Sequence, residues 1–393
     1  GKARSSDSIV LAFSELMDQE SVMQRLRMEP PIEGEYIWSG MRLMFQPKYP
    51  LMTGTEYTVS LAKGAKSTGE REVLADYRYR FTVRFPRVAY LSPVDGSAPA
   101  NIWITDPDDL SRTEQITAIE TGVNSYDVSP DGRKIAFSAQ GTNGKGVDIW
   151  MLDLESKKIQ QVTDCPDSAC TLPVWRPDGQ LIAYTRSYIN SNLTGKTVTG
   201  ESLRGGLPRV WVVDLTADPY VTRQLVEDSQ VLGEAINWSS DGNRLNFFDI
   251  DKGTSFVYDF KEQRTITIEN PYGQPAALSP DGKQIVYPQF VQPDPSKPLT
   301  LHLQLRDLES QAVRDVSGGE QNSQGDSNPA WQPNGEGLVF VRRDTARNAN
   351  QASQIYLLKV ADSSLQTLVA DPERTSSGFV WDSTGQQFLM QRF

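Results

Sequence analysis

The sequence predicts an all-β protein in which a small β-sandwich precedes a six-bladed β-propeller. Two observations carry this prediction. Residues 7–86 contain about seven short segments in which apolar and polar residues alternate, as in the strands of a sandwich. From residue 87 onward, a strand–turn–strand pattern recurs at intervals of about 40 to 60 residues, the repeat length of propeller blades. We therefore expect two domains, 1–86 and 87–393.

The first domain resembles the bacterial immunoglobulin-like domains. The resemblance rests on Phe13-Ser14, Met17-Asp18, Ser21-Val22, Pro47 and the strand at residues 55–61. It implies a spacer or adhesion module that acts outside the cytoplasm. We interpret the large aromatic side chains of this segment as core residues of the sandwich.

The propeller repeat is most complete at residues 126–154. Residues 126–129 predict a first strand, Pro130-Asp-Gly132 a tight turn, and residues 134–137 a second strand. Pro presets the backbone angle at the second turn position, Asp bonds to its own backbone, and Gly accepts the positive φ that closes the hairpin. Residues 148–154 and 159–163 supply a third and a fourth strand.

The hairpin recurs six times, with turns that end at Gly132, Gly179, Gly242, Gly282, Gly335 and Gly385. Third strands also recur six times, but the first has no hairpin before it and the last hairpin has no third strand after it. We therefore expect the two ends of the propeller to complete one blade together. Its second strand is either residues 88–91 or residues 387–391, and a seventh, incomplete blade is the alternative.

These repeats resemble the TolB-like family of six-bladed propellers, whose repeat reads Trp-Ser-Pro-Asp-Gly, then Ile-Ala-Phe, then Ile-Trp-Val-Met-Asp-Leu. The resemblance covers about residues 87–393, and the turn departs from the pattern at Ser240, Asn334 and Ser383. Tryptophans recur at two positions of the repeat, which predicts that they fill the core between blades. They are Trp103, Trp150, Trp211, Trp175, Trp238, Trp331 and Trp381.

The charge balance excludes some classes of partner. The formal net charge is −11 and the acidity belongs to the repeats, whereas nucleic acid and anionic membrane surfaces demand clustered Lys and Arg. Apolar runs stay well short of the roughly 18 residues that a membrane span requires. The first residues do not have the pattern of a signal peptide, although a signal or anchor that precedes Gly1 is compatible with the sequence.

Cys165 and Cys170 are the two cysteines of the chain, and we expect a disulfide between them. Four intervening residues can close a small ring, and a lack of other thiols is typical of proteins in an oxidising compartment. Two free thiols or a metal site are the alternatives. The metal is disfavoured because a second ligand pair is missing and His302 is distant in sequence.

Sequence motifs for catalysis are missing. Gly-x-Ser-x-Gly does not occur, and His302 lies between leucines in a predicted strand, where a structural role is expected. Phosphate-cradling and dinucleotide-binding glycine patterns are absent as well. We therefore expect a protein that is not an enzyme and has no cofactor, while a propeller glycosidase or lyase with paired carboxylates stays an alternative.

Function is expected on the connections between second and third strands and between blades, which emerge together on one face of a propeller. Tyr and Arg on such a face suit a protein or peptide partner. The candidate binding residues are Arg186, Tyr188, Asn190, Arg204, Asp249, Asp251, Phe290, Asp326, Arg342 and Arg343. The resulting hypothesis is a non-catalytic, extracytoplasmic binding scaffold; the sensor ectodomain of a membrane-anchored receptor is a further alternative.

Overall fold

The computed structural model describes most of the chain and resolves into two compact units. The first unit is Gly1–Val88 with Ile104–Glu114 and Trp381–Phe388, and the second is the remainder. The residues described are 1–3, 5, 7–84, 87–106, 109–142, 144–188, 207–269, 274–292, 296, 299–318, 324–344, 354–370, 376–381, 385 and 388–392.

The amino-terminal segment is a two-layer β-sandwich. Its elements are β1 (Lys2–Ala3), β2 (Ile9–Ala12), α1 (Gln19–Arg25), β3 (Leu26–Glu29), β4 (Gly34–Ser39), β5 (Arg42–Pro47), β6 (Glu56–Leu61) and β7 (Tyr77–Val83). One sheet has the order β1-β7-β6-β3 and the other β2-β5-β4. Helix α1 begins where the Asp18 carboxylate accepts a hydrogen bond from the Ser21 N–H at 2.7 Å.

Strand alternation builds the core of this sandwich. Tyr57, Val59 and Leu61 point inward from β6 and are buried. On β7 the same alternation buries Phe81 and Val83, but the earlier residues of that face, Tyr77 and Tyr79, are 57% and 47% exposed. A groove of about 340 Å³ separates them from β2, so these two rings line an opening rather than the core.

Strands continue through the rest of the chain. They are β8 (Val88–Ser92), β9 (Asn101–Asp106), β10 (Asp109–Gln115), β11 (Val123–Val128), β12 (Lys134–Gln140), β13 (Val147–Asp153), β14 (Ile159–Gln161), β15 (Ser168–Trp175), β16 (Leu181–Tyr188), β17 (Arg209–Asp214), β18 (Val221–Gln224), β19 (Glu234–Trp238), β20 (Arg244–Asp249), β21 (Thr254–Asp259), β22 (Arg264–Glu269), β23 (Ala277–Leu278), β24 (Gln284–Val291), β25 (Thr300–Asp307), β26 (Val313–Asp315), β27 (Gln324–Trp331), β28 (Gly337–Asp344), β29 (Gln354–Lys359), β30 (Leu365–Ala370), β31 (Ser376–Trp381) and β32 (Phe388–Arg392).

Five runs of four antiparallel strands, each paired in chain order, form the repeat. They are β11–β14, β15–β18, β19–β22, β23–β26 and β27–β30. Strands β8 to β10 form a three-stranded sheet in which β8 lies beside β9, and β31 pairs with β32. Strand β8 is thus a neighbour of the first third strand, and residues 388–392 of β32 pair with β31. The number of blades and the way the ends close stay predictions.

The turn of each repeat has the geometry that the sequence predicts. The six turn glycines have φ between 65° and 74°, a region that favours glycine. In the first turn the Asp131 carboxylate accepts hydrogen bonds from the Ser129 hydroxyl and the Arg133 N–H. The same pair of bonds recurs at Asp241 and Asp281. These aspartates therefore serve the hairpin, which confirms their assignment as turn residues.

Tryptophans at the ends of first strands connect neighbouring sheets. The Trp175 indole donates to the Asp127 carbonyl at 3.2 Å. Trp238 donates to Val174 at 3.1 Å, and Trp331 donates to Ala277 at 2.8 Å. In each case the acceptor lies in the first strand of the preceding sheet. The tryptophan rings that were predicted to fill the core between blades therefore also donate hydrogen bonds to the neighbouring repeat.

We predict that Trp331→Phe destabilises the propeller by about 1 to 2 kcal/mol, because much of the ring volume is kept but the half-buried Ala277 carbonyl loses its donor. Urea unfolding midpoints followed by fluorescence would measure this. Trp211→Phe is the matched control, because the described residues give its indole no acceptor. An equal loss in both variants would contradict a special role for the Trp331 hydrogen bond.

Asp127 provides a second connection between the first two sheets. Its carboxylate accepts hydrogen bonds from the Trp175 N–H at 2.7 Å and from the Val128 N–H at 2.9 Å. Burial raises the pKa of Asp127 to about 6, and the two hydrogen bonds only partly offset that effect. The folded protein therefore binds a proton here more tightly than the unfolded chain does.

A pH dependence follows from this raised pKa. Asp127 contributes stability below about pH 4, and that contribution is lost as the pH rises through about 6, with a total on the order of 1 to 3 kcal/mol. In Asp127→Asn the step between pH 4 and pH 7 should disappear. Denaturation midpoints of both proteins across this range test it, and parallel pH profiles would refute it.

Candidate functional site

Arg186 lies near the end of β16, at the start of the predicted binding connection. Its Nε donates to the Ser168 hydroxyl at 3.1 Å, and an Nη donates to Asp167 at 3.1 Å. The guanidinium stacks on the Trp211 ring at 4.9 Å and on the Tyr188 ring at 5.7 Å. These contacts fix the plane of the cation at a strand end.

This group of side chains, which we term the Arg186 platform, is partly open to solvent. The Arg186 side chain is 16% exposed, its partner Asp167 is 63% exposed, and Tyr188 is 53% exposed. The Ser168 hydroxyl and, to a smaller extent, the guanidinium hold the pKa of Asp167 below its ordinary value. The platform therefore presents an oriented cation flanked by aromatic surface.

Arg342 occupies the equivalent place in β28 but is closed. It makes a bidentate ion pair with Asp326, with N–O distances of 2.7 and 2.8 Å, and donates to the Ser317 carbonyl at 2.6 Å. The Tyr356 ring lies 4.9 Å from the guanidinium, as the Trp211 ring does at Arg186. The side chains of Arg342 and Asp326 are only 9% and 1% exposed. The two predicted binding residues satisfy each other.

Strand register shows why the two arginines differ. In β27 and β28 the residue opposite Arg342 is Asp326. In β15 and β16 the residue opposite Arg186 is Cys170. A half-cystine thus stands where the other repeat has a carboxylate, and Arg186 is left with the exposed Asp167.

Cys165 and Cys170 form the expected disulfide, with Cα atoms 6.4 Å apart, and both are buried. The bridge closes the connection from β14 to β15. Gly146 packs against it with φ of 63°, and a Cβ there would come within 1.9 Å of the Cys165 carbonyl oxygen. Next to it, Val147 pairs in parallel with Ala169, as Leu301 does with Gly325 in the other repeat.

Among the described residues, no hydrogen bond or ion pair joins Asp249, Asp251 or Arg343 to the Arg186 platform. Asp249 is buried and accepts hydrogen bonds from the Asp251 and Lys252 N–H groups, so it shapes a turn. Phe290 is 48% exposed and Arg343 lies on the exposed side of its strand. Asn190 and Arg204 lie outside the described residues.

His302 is held in a buried hydrogen-bonded group. Its Nδ1 contacts the Asp315 carboxylate, and its Nε2 lies 3.1 Å from the Thr300 hydroxyl. Burial acts to raise the pKa of Asp315, but hydrogen bonds from His302 and from the Gly318 and Ser317 N–H groups outweigh it, and the pKa is lowered. These bonds connect β25 to the residues after β26.

The residues that occupy the position of His302 in two other third strands explain this arrangement. Asn101 accepts hydrogen bonds from the Thr117 hydroxyl and the Ile119 N–H. Asp148 accepts from the Thr163 hydroxyl and the Cys165 N–H, and burial raises its pKa. His302 therefore takes the place of a structural Asn or Asp, in agreement with the structural role expected for it.

Sequence reasoning missed Trp211, Asp167 and Ser168 as members of the platform. Trp211 was assigned to the core because it recurs with the repeat, and the other two lie just before and at the start of β15, the strand that pairs with β16. Within the described ranges, clusters of three or more His, Cys, Asp or Glu that could hold a metal ion do not occur. In the same part of the chain, helices with the length and apolarity to cross a bilayer are also missing.

We predict that substitutions at the two arginines destabilise the protein by very different amounts. Arg342→Ala strands the Asp326 carboxylate in the interior and should cost about 3 to 5 kcal/mol. Arg186→Ala removes a pair with an exposed partner and should cost less than about 1 kcal/mol. Urea unfolding of both variants measures the difference. Equal losses would show that the platform is as structural as the buried pair.

Residues 2–83 match the model of the bacterial Ig-like domain. None of the curated proteins compared with the chain matches it. Among solved structures, TolB from Acinetobacter baumannii is 18% identical, over 82% of this chain and 78% of that chain, with a TM-score of 0.46.

Two enzymes are also similar in structure. A prolyl endopeptidase is 13% identical with a TM-score of 0.55, over 76% of this chain and 43% of that chain, so the present chain spans less than half of that enzyme. An oligogalacturonate lyase from Vibrio parahaemolyticus is 14% identical with a TM-score of 0.52, over 77% of this chain and 85% of that chain. At these identities the likeness is one of fold. The chain thus carries a bacterial Ig-like domain at residues 2–83, and the remainder has the β-propeller fold of which TolB-like proteins are structural neighbours.

Proposed function

We propose that this chain is a non-catalytic, extracytoplasmic binding scaffold. In this proposal, residues 1–86 act as a spacer and residues 87–393 present one face of the propeller to a protein or peptide partner. The observation that carries it is the contrast between the closed Arg342–Asp326 pair and the open Arg186 platform. An oriented Arg beside exposed aromatic surface has the composition of interface hot spots.

An extracytoplasmic location is supported by the disulfide and by the Ig-like domain. Cys165 and Cys170 are fully or almost fully buried in their bonded form, which an oxidising compartment would maintain. The Ig-like match supports a module that works outside the cytoplasm.

Catalysis is the second candidate, because an oligogalacturonate lyase and a prolyl endopeptidase have similar folds. The described residues do not favour it. The titratable groups that the sequence made conspicuous are engaged in structural contacts: His302 with Asp315, and Arg342 with Asp326. Cleavage of oligogalacturonate by the purified protein, followed by mass spectrometry, would overturn the non-catalytic proposal.

Site-specific photocrosslinking tests the binding face. A benzoylphenylalanine at Tyr188 places the probe on the platform, and the same probe at Val221, which is 54% exposed on the fourth strand β18 of the same sheet, is the matched control. We expect a discrete protein adduct in native envelope preparations from the first position and none from the second. Adducts of equal yield at both positions, or from neither, would contradict the proposed face.

A further inference from the structure

Arg342 shows what this position in the repeat binds. Its guanidinium is held by stacking on Tyr356 and grips both oxygens of Asp326. A planar guanidinium and a carboxylate form two parallel charge-assisted hydrogen bonds in this geometry. The carboxylate comes from the neighbouring strand, at the residue directly opposite the arginine.

Arg186 has the same support but other partners, since the Nε and Nη that hold Asp326 at Arg342 here donate to the Ser168 hydroxyl and to Asp167. Trp211 takes the place of Tyr356, and Cys170 takes the place of Asp326. Among the described residues, the carboxylate that contacts Arg186 is Asp167, through one nitrogen and one oxygen. Asp148 is nearby, but both of its oxygens accept hydrogen bonds from other groups, the Thr163 hydroxyl, the Cys165 N–H and the Gln161 amide.

We infer that Arg186 receives a side-chain carboxylate from an acidic peptide segment of the partner, at the terminal nitrogens of the guanidinium, because Nε already donates to Ser168 and Cys170 occupies the place of Asp326. This inference rests on the proposed function, since it names the chemistry of the partner. An extended peptide is favoured because the internal precedent, Asp326, is presented by a strand. Tyr188, which is 53% exposed, offers an apolar contact to the residue beside that carboxylate.

The disulfide position allows a direct test. The double variant Cys165→Ala with Cys170→Asp installs a carboxylate directly opposite Arg186, which should pair with the guanidinium and compete with the peptide. The double variant Cys165→Ala with Cys170→Ala loses the same disulfide without adding a carboxylate and is the matched control. Circular dichroism and thermal unfolding establish that each variant is folded at the temperature of the binding measurement.

The probe is a set of peptides selected from a random display library on the immobilised wild-type protein. We expect the enriched peptides to share an Asp or Glu at one fixed position. Replacement of that residue by Asn or Gln, or Arg186→Gln in the protein, should weaken binding at least about tenfold. The Cys170→Asp double variant should lose binding by a similar factor, whereas the Cys170→Ala double variant should keep it.

The outcomes separate the two levels of proposal. Peptides that bind the wild type and Arg186→Gln equally, or share no acidic position, overturn the carboxylate inference and leave the scaffold proposal standing. Equal loss in both cysteine double variants, with both folded, likewise overturns it. Binding of trigalacturonate that depends on Arg186, without acidic peptides, assigns the carboxylate to a glycan and overturns the peptide inference. A lack of any peptide or protein ligand overturns both proposals.

Discussion

The propeller depends on the need of each four-stranded sheet to bury its faces against its neighbours. A single sheet of short strands cannot do so alone, which is why blade repeats are stable only in contact with one another. The tryptophan indoles meet this need with apolar area and with a hydrogen bond to the preceding first strand. Where Leu278 replaces the tryptophan, the Asn237 amide reaches the Leu278 carbonyl at 3.3 Å and supplies a polar link between the same two strands.

The same constraint explains why many buried polar side chains, which could be mistaken for catalytic residues, are present. Each connection from a fourth strand to the next sheet must satisfy its backbone near buried surface. Asn101 and Asp148 accept backbone N–H groups directly, and His302, at the equivalent position, holds Asp315, whose carboxylate accepts the N–H groups of the connection. Three chemically different side chains occupy the same position of the repeat, which indicates a structural requirement. We therefore assign a structural role to His302, the single histidine of the chain.

Local chemistry made the turns predictable from sequence, and periodicity did the same for the tryptophans. The Asp-Gly hairpins depend on residues within about five positions of each other, and the structure confirms them at Asp131, Asp241 and Asp281. Tyr77 and Tyr79 show the limit of alternation, since their burial depends on a facing strand that leaves a groove there.

The sequence alone could not show that Arg186 and Arg342 have different partners. Both were selected as loop-face arginines, and their difference depends on the residue opposite each one across an antiparallel pair. Strand β15 has a register irregularity between Thr171 and Val174, and β27 has one between Ser327 and Ala330, so spacing alone does not identify that residue.

The exchange of a carboxylate for a half-cystine has different consequences in the two repeats. A buried ion pair contributes little net stability, because the desolvation of both charges offsets their attraction, but an unpaired buried charge is strongly unfavourable. Arg342, at 9% exposed, could not lose Asp326 without such a cost. Arg186, at 16% exposed and beside the open Asp167, keeps access to water. At Cys170 the disulfide therefore links the connection covalently, whereas at the equivalent register position Asp326 neutralises a buried guanidinium.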